Sequence, residues 1–266
     1  MAAIDATDSF TAMMALEPHG PDTFVGTGPT YPWGGLYGGQ IVAQALGAAA
    51  ATVEPGYRVH SLHAYFIRRG DQAEPVRYEV ARTRNGRSFC TRTVEARQAV
   101  GAILSLSASF QVDEDAPEVQ TALLPEVSGP DAIEGSSWSS FYDRRTLGRD
   151  EVPGEVAAWM RAAPLGADAD PAIHAAALAY ISDDLATDAA HALDPRHSSD
   201  WDDLAGFSLD HAIWFHRPQR ADEWHLHTMR CHGLMSSRGL AVGEVFTASG
   251  THVATVTQEV LLRPRR

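Results

Sequence analysis

Two adjacent glycines, Gly38 and Gly39, stand at the start of a stretch of residues that favours a helix. The first amide groups of a helix have no partner inside it, and the helix dipole places partial positive charge at that end. Because glycine lets a ligand approach the backbone closely, these two residues could stabilise an oxyanion. A loop-to-helix turn that needs glycine only for its conformation would have the same sequence, so both interpretations stay open.

The segment 225–232 contains the residue types of a metal site, namely His225, His227, Cys231 and His232. His225 and His227 alternate along a predicted strand, and no flanking carboxylates complete the pattern of a zinc site. We therefore interpret these residues as structural, and we expect neither a metal nor a cofactor. Packing or lining of a pocket is the interpretation for four further histidines: His60, His63, His211 and His216.

The composition excludes several classes of enzyme and of partner. The chain of 266 residues has no lysine and no G-x-S-x-G, which excludes a P-loop lysine, a Schiff base and a nucleophile-elbow serine hydrolase. Its two cysteines cannot form a disulfide framework. A net charge of −13 predicts that the protein binds no nucleic acid. Apolar runs are too short for a membrane span and the first ten residues lack signal-peptide features, so we expect a cytoplasmic protein.

The elements that must position any site follow one plan twice. After a short helix at 9–16 and a turn-rich stretch at 18–39, the composition predicts a buried helix at 39–53 and then strands with a period of two. The strands of this first half are predicted at 59–67, 76–84, 88–98 and 102–112. The second half repeats the plan with strands at 138–147 and 156–161, a helix at 171–190, and strands at 207–217, 224–232, 238–247 and 252–262.

Identical residues recur at a constant spacing across the two halves. Phe66 and Phe215 are 149 positions apart, and so are Arg68 and Arg217. Because the order of helix, turn and strands agrees with this spacing, the chain is interpreted as an ancient duplication. Each half predicts an α+β arrangement in which an antiparallel sheet wraps around one helix.

Six segments of the chain resemble the acyl-CoA thioesterase II family in order and approximate spacing. They are GGQIVAQAL at 38–46, HSLHAYFIR at 60–68, SASFQ at 107–111, LAYISD at 178–183, SLDHAIWFHRP at 208–218 and VTQE at 256–259. The resemblance implies an α+β double-hotdog fold and hydrolysis of acyl-CoA to free acid and CoA, without metal or cofactor. Prolines, acids and weak periodicity after the first half indicate a linker, so we expect an N-terminal hotdog at 1–115, a linker at 116–135 and a C-terminal hotdog at 136–266.

The resemblance also implies the catalytic residues. Asp183 matches the family's acid, Gln258 matches its glutamine, and Ser208 stands where the family usually has threonine, which keeps the hydroxyl and loses a methyl group. These three side chains would hold the water that attacks the thioester. The helical periodicity of residues 173–180 instead continues to Asp184, so either acid could face the pocket, and we follow the motif in preferring Asp183.

Arg68 and Arg217 are candidates for binding the phosphates of CoA, although positions shared by both halves could equally serve the fold. Together with Gly38 and Gly39 they form the predicted substrate-binding set. Two alternatives to the thioesterase stay open: a double hotdog that binds acyl-CoA without hydrolysing it, and a hotdog enoyl-CoA hydratase. Exposed sheet edges lead us to expect a homodimer or a larger even assembly.

Overall fold

In this computed structural model, which describes residues 9–148, 152–196 and 204–265, each half contains helical segments and an antiparallel sheet. The elements of the first half are α1 (Phe10–Met13), β1 (Glu17–Pro18), β2 (Thr23–Gly26), α2 (Gly38–Ala50), β3 (Tyr57–Phe66), β4 (Val76–Asn85), β5 (Phe89–Gln98) and β6 (Gly101–Val112). Those of the second half are β7 (Tyr142–Leu147), β8 (Glu155–Ala162), α3 (Pro171–Ser182), α4 (Leu185–Leu193), β9 (Leu204–Ser208), β10 (Asp210–Phe215), β11 (His225–Met235), β12 (Arg238–Thr247) and β13 (His252–Pro264).

The helix α2 is buried on almost every side because alanine, leucine, isoleucine and valine cover most of its circumference. It packs against α3 and against the sheet of its own half. The chain leaves this helix through Ala51, and the turn that follows includes Gly56 at a φ of 95°, a conformation that favours glycine. The predicted helix at 39–53 is therefore confirmed, with its end a few residues earlier.

The second long helix differs from its prediction. Asp170 caps α3 by accepting the amide of Ala172, and Pro171 occupies the first turn, both of which favour a helix start. The predicted helix at 171–190 is wrong as a single element, because it breaks at Asp183 and Asp184 into α3 and α4. This break turns the two neighbouring acids toward different surroundings.

The two half-sheets join into one sheet through β3 and β10. Its strand order is β1-β2-β4-β5-β6-β3-β10-β13-β12-β11-β8-β7, with β9 pairing β13 beside this path. His63 pairs with Ala212, and the hydroxyls of Tyr31 and Tyr180 lie 3.4 Å apart; the members of the tyrosine pair are 149 positions apart in the sequence. Positions related by the repeat thus meet near the junction of the halves, as expected if a local two-fold axis relates them.

The strand predicted at 207–217 is interrupted after Ser208. Ser208 pairs with Val260, whereas Ala212 pairs with Thr257, so β9 and β10 together contain one residue more than the facing part of β13. Such a bulge changes which side chains share a face of the sheet. It places Ser208 and His211, three residues apart, on the same side, where both contact Gln258.

The start of the chain also contains more structure than predicted. The short strand β2 lies within the stretch predicted to be turn-rich, β1 lies at its start, and α1 is shorter than the predicted helix at 9–16. No helix in the described residues is long and apolar enough to cross a membrane. The α+β class is confirmed, and the domain boundaries at 115 and 135 stay a prediction.

Candidate active site

Asp183 lies at the break between α3 and α4, with its carboxylate directed at the N-terminus of α2. Its Oδ2 accepts the amide of Gly39 at 2.9 Å, and the residue is only 4% exposed. A Cβ atom on Gly38 would lie 2.6 Å from the same oxygen, and one on Gly39 would lie 2.3 Å from the carbonyl oxygen of Tyr180. Both glycines are therefore required for the close approach of α2 to the end of α3. This requirement is additional to the loop-to-helix turn considered for them.

Ser208 and Gln258 continue the hydrogen bonding from this carboxylate. The hydroxyl of Ser208 donates to Oδ1 of Asp183 at 3.0 Å, and the amide nitrogen of Gln258 donates to that hydroxyl at 2.7 Å. Gln258 is fully buried on β13, and Ser208 is half-buried at the end of β9. Three residues that are far apart in sequence are thus brought into one hydrogen-bonded chain.

His211 and Ser182 extend the chain beyond the three predicted residues. The Nδ1 atom of His211 lies 2.6 Å from Oε1 of Gln258, and its Nε2 atom lies 3.0 Å from the hydroxyl of Ser182. Both side chains are buried. The sequence indicated only a packing or pocket-lining histidine here, and the bulge that brings His211 to Gln258 leaves no sequence pattern that would have predicted the contact.

Burial dominates the electrostatics of this cluster. It raises the pKa of the Asp183 carboxyl to about 7, although hydrogen bonds from Ser208, Gly39 and Gln258 oppose the shift. Burial also lowers the pKa of His211 to about 4, so this imidazole is neutral near neutral pH. A carboxyl that titrates near neutrality beside a fixed hydroxyl and amide can act as a general base.

The neighbouring acid, Asp184, has a different set of partners. Its Oδ2 lies 2.6 Å from Nη1 of Arg144, and its Oδ1 accepts the indole N–H of Trp138 at 2.8 Å. The other guanidinium nitrogen of Arg144 pairs with Asp188 at 2.6 Å. Asp184 is thus held in a buried ion network, whereas Asp183 contacts Ser208 and the start of α2.

The two predicted arginines make their hydrogen bonds away from the chain formed by Asp183, Ser208 and Gln258. Arg68 is exposed and donates to the carbonyl of Ala102 at 2.7 Å. Arg217 donates to the carbonyl of His252 at 2.9 Å and pairs with Glu118 at 3.3 Å. Their contacts with the backbone at corresponding turns of the two halves indicate a shared role in the fold, and their role in binding CoA stays a prediction.

The cluster at 225–232 has no metal-binding geometry. Across the parts of the chain that the structure describes, no three His, Cys, Asp or Glu side chains converge as metal ligands would. His225 instead hydrogen-bonds through Nδ1 with the carbonyl of Glu223 at 2.9 Å, and His227 is buried on the same strand.

Comparisons with known proteins show which family the chain resembles. A family model described as "Acyl-CoA thioesterase N-terminal domain" matches residues 27–111, and one described as "Acyl-CoA thioesterase C-terminal domain" matches residues 113–262. The chain is 34% identical to "Acyl-coenzyme A thioesterase 8" of Homo sapiens over 286 residues, which covers 95% of this chain and 88% of that protein.

Solved structures agree with the sequence comparison. The crystal structure of an "Acyl-CoA thioesterase II TesB2" from Mycobacterium marinum superposes with a TM-score of 0.84 at 36% identity, covering 96% of this chain and 97% of that chain. A protein "of Unknown Function with Hot dog Fold" from Alicyclobacillus acidocaldarius, 22% identical, has a TM-score of 0.79 with coverage of 97% and 98%. The fold is therefore the double hotdog.

Proposed function

The chain belongs to the acyl-CoA thioesterase II family and hydrolyses acyl-CoA thioesters, and from this we propose that Asp183, Ser208 and Gln258 hold the attacking water. One observation carries the proposal. Side chains from the α3–α4 break, β9 and β13 meet in a single buried hydrogen-bonded chain at the N-terminus of α2. Such convergence of an acid, a hydroxyl and an amide is the arrangement needed to orient a water molecule.

In this mechanism Asp183 is the general base. Water attacks the thioester carbonyl carbon as its proton passes to the carboxylate, and a tetrahedral intermediate forms. Collapse of the intermediate breaks the carbon–sulfur bond, and the departing thiolate of CoA takes the proton from the Asp183 carboxyl. The products are the free carboxylic acid and CoA, and Asp183 is ionised again for the next cycle.

The N-terminus of α2 would polarise the thioester carbonyl. The amide of Gly39 already donates to Asp183, so the partial positive charge at this helix end acts on both the base and the substrate. Gly38, at the same helix end, stays the candidate for the approach of the carbonyl oxygen, and its missing Cβ already allows the carboxylate of Asp183 to come close. Arg68 and Arg217 stay candidates for the phosphates of CoA.

The rate should depend on pH through the ionisation of Asp183. Because only the carboxylate can accept a proton and burial raises its pKa to about 7, kcat/KM is expected to rise about tenfold per pH unit below pH 7 and to level off above it. Thiol release from an acyl-CoA, measured from pH 5 to 9 in buffers of constant ionic strength, gives this profile. A limb centred between pH 4 and 5 would contradict Asp183 as the base.

Removal of the other two groups should slow hydrolysis without unfolding the protein. Gln258→Ala is expected to lower kcat by roughly 10²-fold and Ser208→Ala by roughly 10-fold or more, because each loses a hydrogen bond that orients the water. Ser208→Thr keeps the hydroxyl and should remain within about threefold of the wild type. Release of free thiol across a series of acyl chain lengths measures all three variants and also defines the preferred substrate.

The exposed Ser105 on β6 provides the matched control, since Ser105→Ala removes an equal hydroxyl three strands away from β13 in the sheet. Wild-type turnover in both Ser208→Ala and Gln258→Ala would overturn the site. Tight binding of acyl-CoA with no thiol released at any chain length would favour the non-catalytic alternative, and loss of the enoyl absorbance without thiol release would favour the hydratase.

A further inference from the structure

Gln258 can serve the proposed site in only one orientation of its amide. An ionised Asp183 accepts hydrogen bonds and donates none, so the hydroxyl of Ser208 must direct its single hydrogen to that carboxylate. Ser208 then has only acceptor capacity left for Gln258, which must present its nitrogen at 2.7 Å. With the amide reversed, two acceptor oxygens would compete for one hydrogen inside a buried cluster, at a cost in free energy.

The atoms that fix this orientation lie on the far side of Gln258. Its Oε1 faces Nδ1 of His211 at 2.6 Å, which requires the hydrogen of the neutral imidazole to reside on Nδ1. Nε2 then needs a donor, and the hydroxyl of Ser182 lies 3.0 Å away. That hydroxyl is also 3.3 Å from the carbonyl of Ala179, a longer contact, so its hydrogen is directed to His211.

We propose that His211 is a positioning residue for thioester hydrolysis: its Nδ1–H holds the amide of Gln258 with the nitrogen toward Ser208 and Asp183. The inference rests on the proposed function, because it assumes that Gln258 orients the attacking water. Ser182 acts one step further out by fixing the tautomer of the imidazole. Complete burial of His211 and the lowered pKa of its imidazole keep this donor pattern unchanged over the working range of pH.

A double-mutant cycle separates this role from a general contribution to folding. His211→Leu is expected to lower kcat by roughly 10- to 100-fold with KM changed by less than about threefold, because the amide can then reverse. In a Gln258→Ala background the same substitution should change kcat by less than about twofold, since there is no amide left to orient. Ser182→Ala, which leaves the imidazole in place, should lower kcat by about three- to tenfold.

His227→Leu, a buried histidine replaced on β11, is the control for loss of a buried imidazole and should keep wild-type kcat. Equal slowing by His211→Leu in both backgrounds would assign a structural role and overturn the inference. If Gln258→Ala is slow while His211→Leu is not, only the inference fails. If Gln258→Ala itself turns over at the wild-type rate, the proposed function fails and the inference falls with it.

A spectroscopic measurement decides the question even where His211→Leu does not fold. In protein labelled with ¹⁵N-histidine, the tautomer of each neutral imidazole can be read from its nitrogen shifts at pH 8.5, and comparison with His211→Asn or Ser182→Ala assigns the His211 signals. Protonation at Nδ1 is the expected result, and Ser182→Ala should shift the population toward Nε2. Protonation at Nε2 in the wild type would overturn the inference, because Gln258 would then present its nitrogen to His211 rather than to Ser208.

Discussion

Asp183→Asn is expected to lower kcat by about 10³-fold and, at pH 8.5, to make the folded protein more stable than the wild type. The loss of rate follows because an amide cannot accept the proton of the attacking water. The gain in stability follows because burial raises the pKa of the Asp183 carboxyl from 3.8 to about 7. Above pH 7 the wild type must keep a charge in a site that disfavours it, and the amide removes that charge.

The sign and size of the stability effect depend on pH. A group whose pKa is higher in the folded than in the unfolded state weakens folding as pH rises through the folded value, and a shift of about three units corresponds to at most about 4 kcal/mol. Asparagine loses one of the two acceptor oxygens that contact Ser208 and Gly39, so we expect a net gain of about 1 to 3 kcal/mol at pH 8.5. At pH 4 the gain should vanish.

Denaturant unfolding at the two pH values and thiol release at pH 8.5 measure both effects in the same preparation. Asp184→Asn is the comparison, because Asp184 pairs with Arg144 and Trp138 instead. It should lower stability at pH 8.5 and leave kcat within about tenfold of the wild type. Near-normal turnover in Asp183→Asn, or the larger catalytic loss in Asp184→Asn, would show that the wrong acid has been assigned.

Most strands of the first half and α2 could be predicted from the sequence because their patterns are local. Alternation of apolar and polar residues predicted β4, β5 and β6 with small errors at their ends. The break at Asp183 could not be predicted in this way, since alanines and leucines that favour a helix stand on both sides of it. Contacts that are distant in sequence meet at the break: the Asp183 carboxylate contacts the start of α2 and Arg144 holds Asp184.

The bulge after Ser208 could not be predicted from periodicity either. The same holds for the contact between His211 and Gln258, which depends on the bulge. The duplication offers one explanation of why the three proposed catalytic side chains all lie in the second half. Leu62, which is 149 positions before His211, pairs with Ala108 on β6, and both residues are buried. The first half thus has an apolar pair where the second has an imidazole and an amide, so this position of the first half lacks the polar contact.

The buried ion network around Arg144 should have the largest effect on stability. Arg144 is 12% exposed at its side chain and pairs at 2.6 Å with both Asp184 and Asp188. Arg144→Met keeps the volume of the side-chain stem but leaves two carboxylates without a cation, which is expected to destabilise the protein by about 3 to 5 kcal/mol near pH 8. At about 2 to 4 °C per kcal/mol, the melting temperature should fall by roughly 6 to 20 °C.

The deficit of Arg144→Met should shrink as pH falls. Burial raises the pKa of Asp188, while Arg144 opposes that shift. Without the arginine this acid takes up a proton more readily, so the folded variant is less destabilised at pH 5 than at pH 8.

Arg97→Met is the matched control, because Arg97 pairs with Glu95 at the same distance, 2.6 Å, but on the surface. This substitution should change the free energy of unfolding by less than about 1 kcal/mol. A change in unfolding free energy as small as that of Arg97→Met would show that the network does not stabilise the break between α3 and α4.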